Sequence, residues 1–370
     1  MSLTTNPLVT SDDSRTMTGD ATFVGPTDRI LVTGAAGFIG TRVVEALLRR
    51  GFCNIVCFTR PSSRSEALEN IVRNAPTKAH IDVLKGNLLH QEDCDNACKG
   101  VSVIFHLAAG TGEKSFPDAF MNSVVATRNL LEASLRVGSL RRFVLVSSLA
   151  VYANRKKPHR RVLDEACPLE EPADARAEAY SYAKIKQEEL VREYGQTLRI
   201  PYVVVRPGSV YGPRKSEIVG RVGIGTFGPF LHMGGSNRIP FTYVDNCADA
   251  IVLAGIVKGV DGEVFNVIDD DLPSSSQFLR KYKRSVKKFR SFYVPHVMSH
   301  ALCYLWETYA KWSKGQLPPV FNRSRWHAYW KKTWYTNAKL KRELGWTQRV
   351  STAEGLARYF EACKQGLPNA

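Results

Sequence analysis

The sequence predicts an α/β protein, a Rossmann-type doubly wound parallel sheet with a smaller, mostly helical C-terminal substrate lobe. Three observations carry that expectation. Short β-branched apolar runs alternate with helical patterns, which implies a parallel sheet covered on both faces. The first run passes directly into Gly-x-x-Gly-x-x-Gly at residues 34–40. After Pro213 the alternation loosens, and the last hundred residues read as helix plus a basic, aromatic stretch.

The elements follow in order. Residues 28–34 (DRILVTG) form an apolar strand. From Phe38 to Arg50, Ile39, Val43, Val44, Leu47 and Leu48 share one helical face, and Gly51 suits the C-terminal cap. Residues 54–59, 101–107, 143–146 and 202–205 are further strands, with helices fitting at 116–137 and 177–194. Residues 214–240 are Gly-rich. Strand-like pieces return at 241–244 and 264–267 around a helix starting near Asn246. The expected organisation is therefore a disordered leader over 1–27 and a dinucleotide-binding domain over 28–213, to which 241–270 returns. The substrate lobe takes 214–240 and 271–370, with the basic aromatic segment at 280–342.

Composition narrows the classes. A hydrophobic fraction of 44% suffices for a full core. No run approaches the ~18 uninterrupted apolar residues of a membrane span. Residues 1–27 carry Asp12, Asp13 and Asp20 without an apolar stretch, unlike a signal peptide. The eight cysteines form no Cys-x-x-Cys pair and no zinc-ligand pattern, which suits reduced thiols and a cytoplasmic location. The net charge of +16 is uneven: residues 280–342 hold 16 Lys/Arg against Glu307 alone, 16 − 1 = +15, and the rest is nearly balanced. All six tryptophans lie at 306 or later.

The glycine turn between a strand and a helix is the context that makes it a dinucleotide site. Glycines allow the tight turn, the approach of backbone to pyrophosphate and the packing of helix on strand, while the helix N-terminus supplies N–H groups to phosphate. Gly34, Ala36, Gly37, Phe38, Ile39 and Gly40 are the candidate cradle. About 20 residues further on, an acid would select a ribose 2′-hydroxyl and an Arg a 2′-phosphate. Here Thr59-Arg60-Pro61-Ser62-Ser63-Arg64 holds no acid, so NADP is preferred. The alternative is NAD, with Arg60 stacked on adenine.

Tyr180 and Lys184 stand at i, i+4 on one helical face, where an ammonium near a phenol would favour phenolate. Such a Tyr can exchange a proton with a substrate hydroxyl while hydride moves to or from a nicotinamide. Tyr182 and Lys186 match the same spacing. Ser147-Ser148 ends a strand, where α/β sheets build their sites, and a hydroxyl there could orient a carbonyl.

These residues, taken together, resemble the extended short-chain dehydrogenase/reductases of the NAD-dependent epimerase/dehydratase type. The resemblance covers roughly 28–270 and a stretch near 336–360. It rests on the glycine turn, His106-Leu107-Ala108-Ala109, Asn122 with 127–132 (TRNLLE), Ser147-Ser148 with Val151-Tyr152, and Tyr180/Lys184 with Glu188. It continues in 206–213 (RPGSVYGP) and Tyr243-Val244-Asp245-Asn246. It implies Ser148, Tyr180 and Lys184 as the catalytic set, the register fixed by Glu188 and the distance to the preceding strand. It implies cofactor contacts from Asn87, Leu88, Leu107, Ala108, Ala109, Asn122, Lys184, Pro207 and Ser209. Three departures stand out. Leu149-Ala150 replaces the Asp-Glu pair of family dehydratases, so a 4,6-dehydratase is not expected; Asp164-Glu165 is read as shaping a loop. Gly86-Asn87 replaces Gly-Asp after the third strand. Pro207-Gly208-Ser209 resembles reductases and hydroxysteroid dehydrogenase-like members more than nucleotide-sugar enzymes.

In the tail, Val297, Met298, Ala301, Leu305 and Tyr309 recur at helical spacing among Lys/Arg and Trp. Its position resembles the membrane-facing insertion of hydroxysteroid dehydrogenase-like members. Three readings stay open: a lobe helix with a solvated basic face, a surface resting on anionic lipid through 280–334, and a grip on an anionic substrate. No nucleic-acid reader motif accompanies the charge. The leading function is an oxidoreductase or epimerase moving hydride between a nicotinamide and a secondary alcohol or ketone of a nucleotide sugar, sterol-like or related small molecule. The alternative is a non-catalytic dinucleotide-binding sensor or scaffold. A homodimer and peripheral membrane contact are left open, and no metal is expected.

Overall fold

The computed structural model describes residues 22–63, 65–110, 115–155, 162–215, 218–225, 228–313, 316–317 and 321–366. Seven strands form one sheet: β1 (Arg29–Thr33), β2 (Asn54–Thr59), β3 (His80–Lys85), β4 (Val101–His106), β5 (Arg142–Val146), β6 (Tyr202–Pro207) and β7 (Val264–Val267). All are parallel, in the order β7-β6-β5-β4-β1-β2-β3. The order reverses between β1 and β4, and ligands of doubly wound folds bind at such a reversal, beyond the carboxyl ends of the strands.

Alternation of side chains sends each strand's residues to two cores. On one face Ile30, Val32, Ile55, Val103 and Val144 meet α1 (Phe38–Arg49) and α7 (Val244–Ile256). On the other, Leu31, Val56, Ile104 and Leu145 meet α3 (Gln91–Cys98), α5 (Ala126–Val137) and α6 (Ala179–Thr197). Between α1 and α3 lies α2 (Glu66–Arg73). The helix expected over 116–137 is α4 (Phe116–Ala119) running through a π turn, Phe120–Val125, into α5. Apolar runs did not mark β3, an edge strand reading HIDVLK with an exposed, polar pattern.

Residues 22–27 correct the expected leader. Phe23 N–H donates to Ile256 O at 3.2 Å, the Arg142 guanidinium lies 4.3 Å from the Phe23 ring, and Val24 is buried. An apolar pair thus covers the end of α7 and the foot of β5. Residues 1–21 of that leader lie outside the described residues.

The lobe combines a three-stranded ribbon (Gly223–Gly225, Phe230–His232, Ser291–Tyr293) with α8 (Ser275–Ser285), α9 (His296–Trp312) and α10 (Arg323–Tyr329). After it, α11 (Ala338–Leu344) and α12 (Thr352–Lys364) return to the Rossmann core. There Leu340, Leu344 and Trp346 pack with α7, and Trp346 Nε1 donates to Asn246 O at 3.1 Å. The tail tryptophans divide: Trp326, Trp330 and Trp346 are buried, whereas Trp312 and Trp334 are exposed. None of the eight cysteines is in a disulfide. No helix among the described residues is long and apolar enough to cross a membrane.

Candidate active site

A cleft of about 970 Å³ opens beyond the carboxyl ends of β1, β2, β4, β5 and β6. Every residue singled out in the sequence, catalytic or cofactor-binding, lines it.

The cleft's floor is the glycine turn. Gly34 has φ +71°, and a Cβ there would lie 3.0 Å from Ala108 N. A Cβ at Gly40 would lie 2.1 Å from Gly34 O. The turn therefore closes only without side chains at these two places. Helix α1 starts at Phe38 after Gly37, with no side-chain cap and no acid in its first turn, so its leading N–H groups are open to an anion. These features fit the pyrophosphate of a dinucleotide. Arg60 stands exposed at the end of β2, on the cleft wall. Asn87 accepts from Leu89 N–H at 3.1 Å through Oδ1 and donates its own N–H to Asp93 at 2.8 Å, which shapes the turn after β3. Asn122 sits in the π turn, a distortion frequent at functional sites.

His106 belongs to the frame. Fully buried, its Nδ1 meets Thr33 Oγ1 at 2.8 Å and its Nε2 meets Thr127 Oγ1 at 2.9 Å, tying β4 to β1 and α5. Burial, and then the Lys184 charge, push its pKa down to about 3, so the ring is neutral. Gln187 of α6 joins through Thr127 at 2.8 Å.

Ser148 follows β5 and opens a single 3₁₀ turn, Leu149–Val151, accepting from Ala150 N–H at 3.1 Å. Arg176 pins that turn: it pairs with Glu170 at 2.9 Å and donates to the carbonyls of Ala150 and Tyr152. Tyr180, half-buried, lines the cleft beside Ser148. Burial pushes its phenol up, and the neighbouring Ser148 hydroxyl draws it back. Lys184 is buried, and Nζ donates to Val146 O at 2.7 Å. Burial lowers its pKa to about 8 against the pull of Glu188. Tyr180 and Lys184 line the same cleft, with the Lys184 ammonium held on the carbonyl at the end of β5. Tyr182, the competing register, stacks edge-on against Phe116 at 5.2 Å.

Behind these groups lies a buried charge network. Glu188 accepts from Ser147 Oγ at 2.6 Å and from Arg206 Nε at 2.8 Å. The Arg206 guanidinium lies 4.6 Å from the Tyr152 ring, and Tyr152 donates to Asn266 at 2.7 Å. Asp164 and Glu165 bind backbone amides of Ala166 and Asn266, as expected of a loop-shaping pair.

Sequence reading missed the cleft's far wall. Arg176, Arg214, Lys215, Arg221 and Tyr329 line it together with Ile218 and Val219. No Asp or Glu lines the cleft among the described residues. Tyr329 arrives on α10, from the basic tail, and donates to Glu178 at 2.6 Å, two residues before Tyr180. The Arg221 guanidinium lies 5.4 Å from the Tyr329 ring. A Gly-rich stretch and a Trp-rich tail carry no periodic signal that would bring them together.

A family model described as the NAD dependent epimerase/dehydratase family matches residues 30–267. The chain belongs to this family. It is 31% identical over 259 residues to an uncharacterized UDP-glucose epimerase of Bacillus subtilis, covering 65% of this chain and 76% of that protein. It is 22% identical over 349 residues to the decarboxylating sterol-4-alpha-carboxylate 3-dehydrogenase of mouse, covering 90% of each. The UDP-glucuronic acid 4-epimerase of Bacillus cereus, solved with UDP-glucuronic acid and NAD, superposes with a TM-score of 0.67 at 24% identity, over 91% of this chain and 99% of that one. That likeness shows the shared fold of the family.

Proposed function

We propose that this epimerase/dehydratase family member is an NAD(P)-dependent oxidoreductase or epimerase acting on a secondary alcohol or ketone. The observation that carries the reading is the meeting of Ser148, Tyr180 and Lys184 with the glycine turn in one cleft. A bound nicotinamide would supply or accept hydride. Ser148 orients the carbonyl or hydroxyl oxygen, and Tyr180 gives or takes its proton. Lys184, held by Val146 O, would offer its ammonium to the nicotinamide ribose. The cradle residues named above, with Arg60, Asn87, Leu88, Leu107, Ala108, Ala109, Asn122, Pro207 and Ser209, would hold the cofactor. Relatives named for a UDP-sugar and for a sterol carboxylate support both substrate classes. Arg214, Lys215 and Arg221 on the far wall favour substrates bearing a negative group in either class. A 4,6-dehydratase is disfavoured by Leu149-Ala150, because neither side chain can serve as the acid or base of water elimination. Screening nucleotide sugars, sterols and aryl ketones for NADH or NADPH turnover tests the reading; turnover with none of them, together with no cofactor binding, would overturn it.

Arg60 at the acid-free end of β2 supports a preference for NADP. Fluorescence titration should give tighter binding of NADPH than NADH, and Arg60→Ala should erase roughly tenfold of that preference. Tighter NADH binding, unchanged by Arg60→Ala, would reverse the assignment.

The segment 280–334 supports peripheral contact with an anionic membrane. A lysine or arginine near such a surface contributes roughly 1 kcal/mol, so several acting together would hold the protein there. The protein should sediment with phosphatidylserine vesicles at low salt, less at high salt, and little with neutral vesicles. No sedimentation at low salt would remove membrane contact.

A further inference from the structure

Fifteen large apolar side chains are exposed among the described residues, and nine of them lie within 292–312. Seven of those belong to α9: Val297, Met298, Leu302, Tyr304, Leu305, Tyr309 and Trp312. With Ala301 and Thr308, these positions fall at 0, 1, 4, 5, 7, 8, 11, 12 and 15 from Val297. That is one continuous stripe along a helix of about 25 Å. Val297 is 85% and Trp312 76% exposed, and no packing among the described residues covers them. The opposite face is occupied: Ser299 accepts from Trp326 Nε1 at 2.8 Å, Cys303 is buried, and His300 packs edge-on against Trp326.

The charges around the stripe are of one sign. Glu307 is the one acid in 280–342, and it is spent on Arg323 at 3.0 Å and Lys311 at 3.1 Å. Arg290 is exposed just before exposed Phe292 and Tyr293, which lead into α9. The Arg323 guanidinium lies 4.9 Å from the Tyr304 ring at the stripe's edge. Exposed Lys281, Arg284, Lys287 and Lys288 precede it on α8 and its following loop. An apolar stripe bordered by cations, on a helix too short and too mixed to span, matches a bilayer interface with anionic headgroups. A protein partner would have to be acidic around an apolar groove.

We propose that α9 is the membrane-inserting element: it lies in the plane of an anionic bilayer with Val297, Met298, Leu302, Leu305, Tyr309 and Trp312 below the headgroups. This rests on the membrane reading of 280–334 and goes further, because adhesion by charge alone needs no stripe. It also places the active site. Helix α10 separates α9 from the cleft, with Trp326 clasped by α9 and Tyr329 lining the cleft. Docking through α9 thus sets the substrate lobe, and not the cofactor half, against the lipid.

The test uses the full chain and vesicles of phosphatidylcholine with phosphatidylserine, some brominated on the acyl chains. Trp312 fluorescence should shift to the blue and be quenched by the brominated lipid, and Trp312→Phe should remove most of that quenching. Leu302→Glu/Leu305→Glu should lower the fraction bound by roughly tenfold or more. Both positions are more than half exposed, so the fold and cofactor binding should be unchanged. Salt-sensitive sedimentation without Trp312 quenching, and unaffected by Leu302→Glu/Leu305→Glu, would overturn insertion and leave the electrostatic contact standing. No sedimentation would overturn both. A concentration-dependent oligomer abolished by the same double substitution, without lipid quenching, would make the stripe an interface between copies and overturn the proposal.

Discussion

Replacing Tyr180 by Phe is expected to lower turnover by on the order of 10²–10⁴-fold, the usual contribution of a positioned general acid or base. Cofactor affinity should stay within about twofold, because the ring and its packing remain and only the proton carrier is lost. The hydroxyl removed is the one beside Ser148 at the cleft wall. Tyr182→Phe is the control: its ring packs on Phe116 and Phe120, away from Ser148, and its rate should stay near wild type. Lys184→Ala should impair both turnover and cofactor binding, since one ammonium serves the ribose and the local charge. With the Lys184 pKa lowered to about 8, that ammonium is present below pH 8 and lost as pH rises through it, so cofactor affinity should decline there. Lys184→Ala should flatten the decline. Steady-state rates and fluorescence titrations over pH 6–10 measure all of this. A wild-type rate for Tyr180→Phe with a dead Tyr182→Phe would transfer the role to the other register.

The contrast between these two tyrosines shows what was legible in the sequence. Spacing alone allowed either, and Glu188 with the distance to the preceding strand chose Tyr180; the fold puts Tyr180, Lys184 and Ser148 in one cleft. The β1–turn–α1 unit was legible because local requirements and tertiary ones coincide: Gly34 and Gly40 are demanded by backbone contact as well as by turn geometry. What escaped depends on distance along the chain. Tyr329 reaches Glu178 across 151 residues, and Arg221 reaches Ala328 O across 107. Neither contact has a period to read. The composition of the basic tail left open which of its residues face inward: Trp326 and Trp330 fill the lobe's small core with Met233 and Val294, and the outward stripe is made mainly of Val, Met, Leu and Tyr of α9. Composition gives a segment's chemistry; only packing decides which of its residues spend that chemistry inward.

Glu188→Ala should destabilise the fold by about 3–5 kcal/mol, with an apparent Tm lower by on the order of 10 °C. Arg206 is 1% exposed and would keep its charge without its carboxylate, while Ser147 would lose its acceptor. The Tyr152 ring and the half-exposed Arg192 cannot replace the lost carboxylate, because neither brings negative charge to Arg206. Removing both charges is a different matter. A buried ion pair owes most of its apparent strength to the desolvation cost of breaking it one-sidedly, so Glu188→Leu/Arg206→Met should recover much of the loss. A double-mutant cycle built from wild type, Glu188→Leu, Arg206→Met and the double variant should then give a coupling of at least about 2 kcal/mol. The same comparison separates structure from chemistry. If the network only supports the strand end, the stable double variant should regain near-normal cofactor binding. Its turnover should stay depressed, because Ser147, and with it the backbone that presents Ser148, has lost its anchor. A Glu188→Ala protein as stable as wild type, or a double variant no more stable than the single, would mean that the pair is screened in a way its burial contradicts.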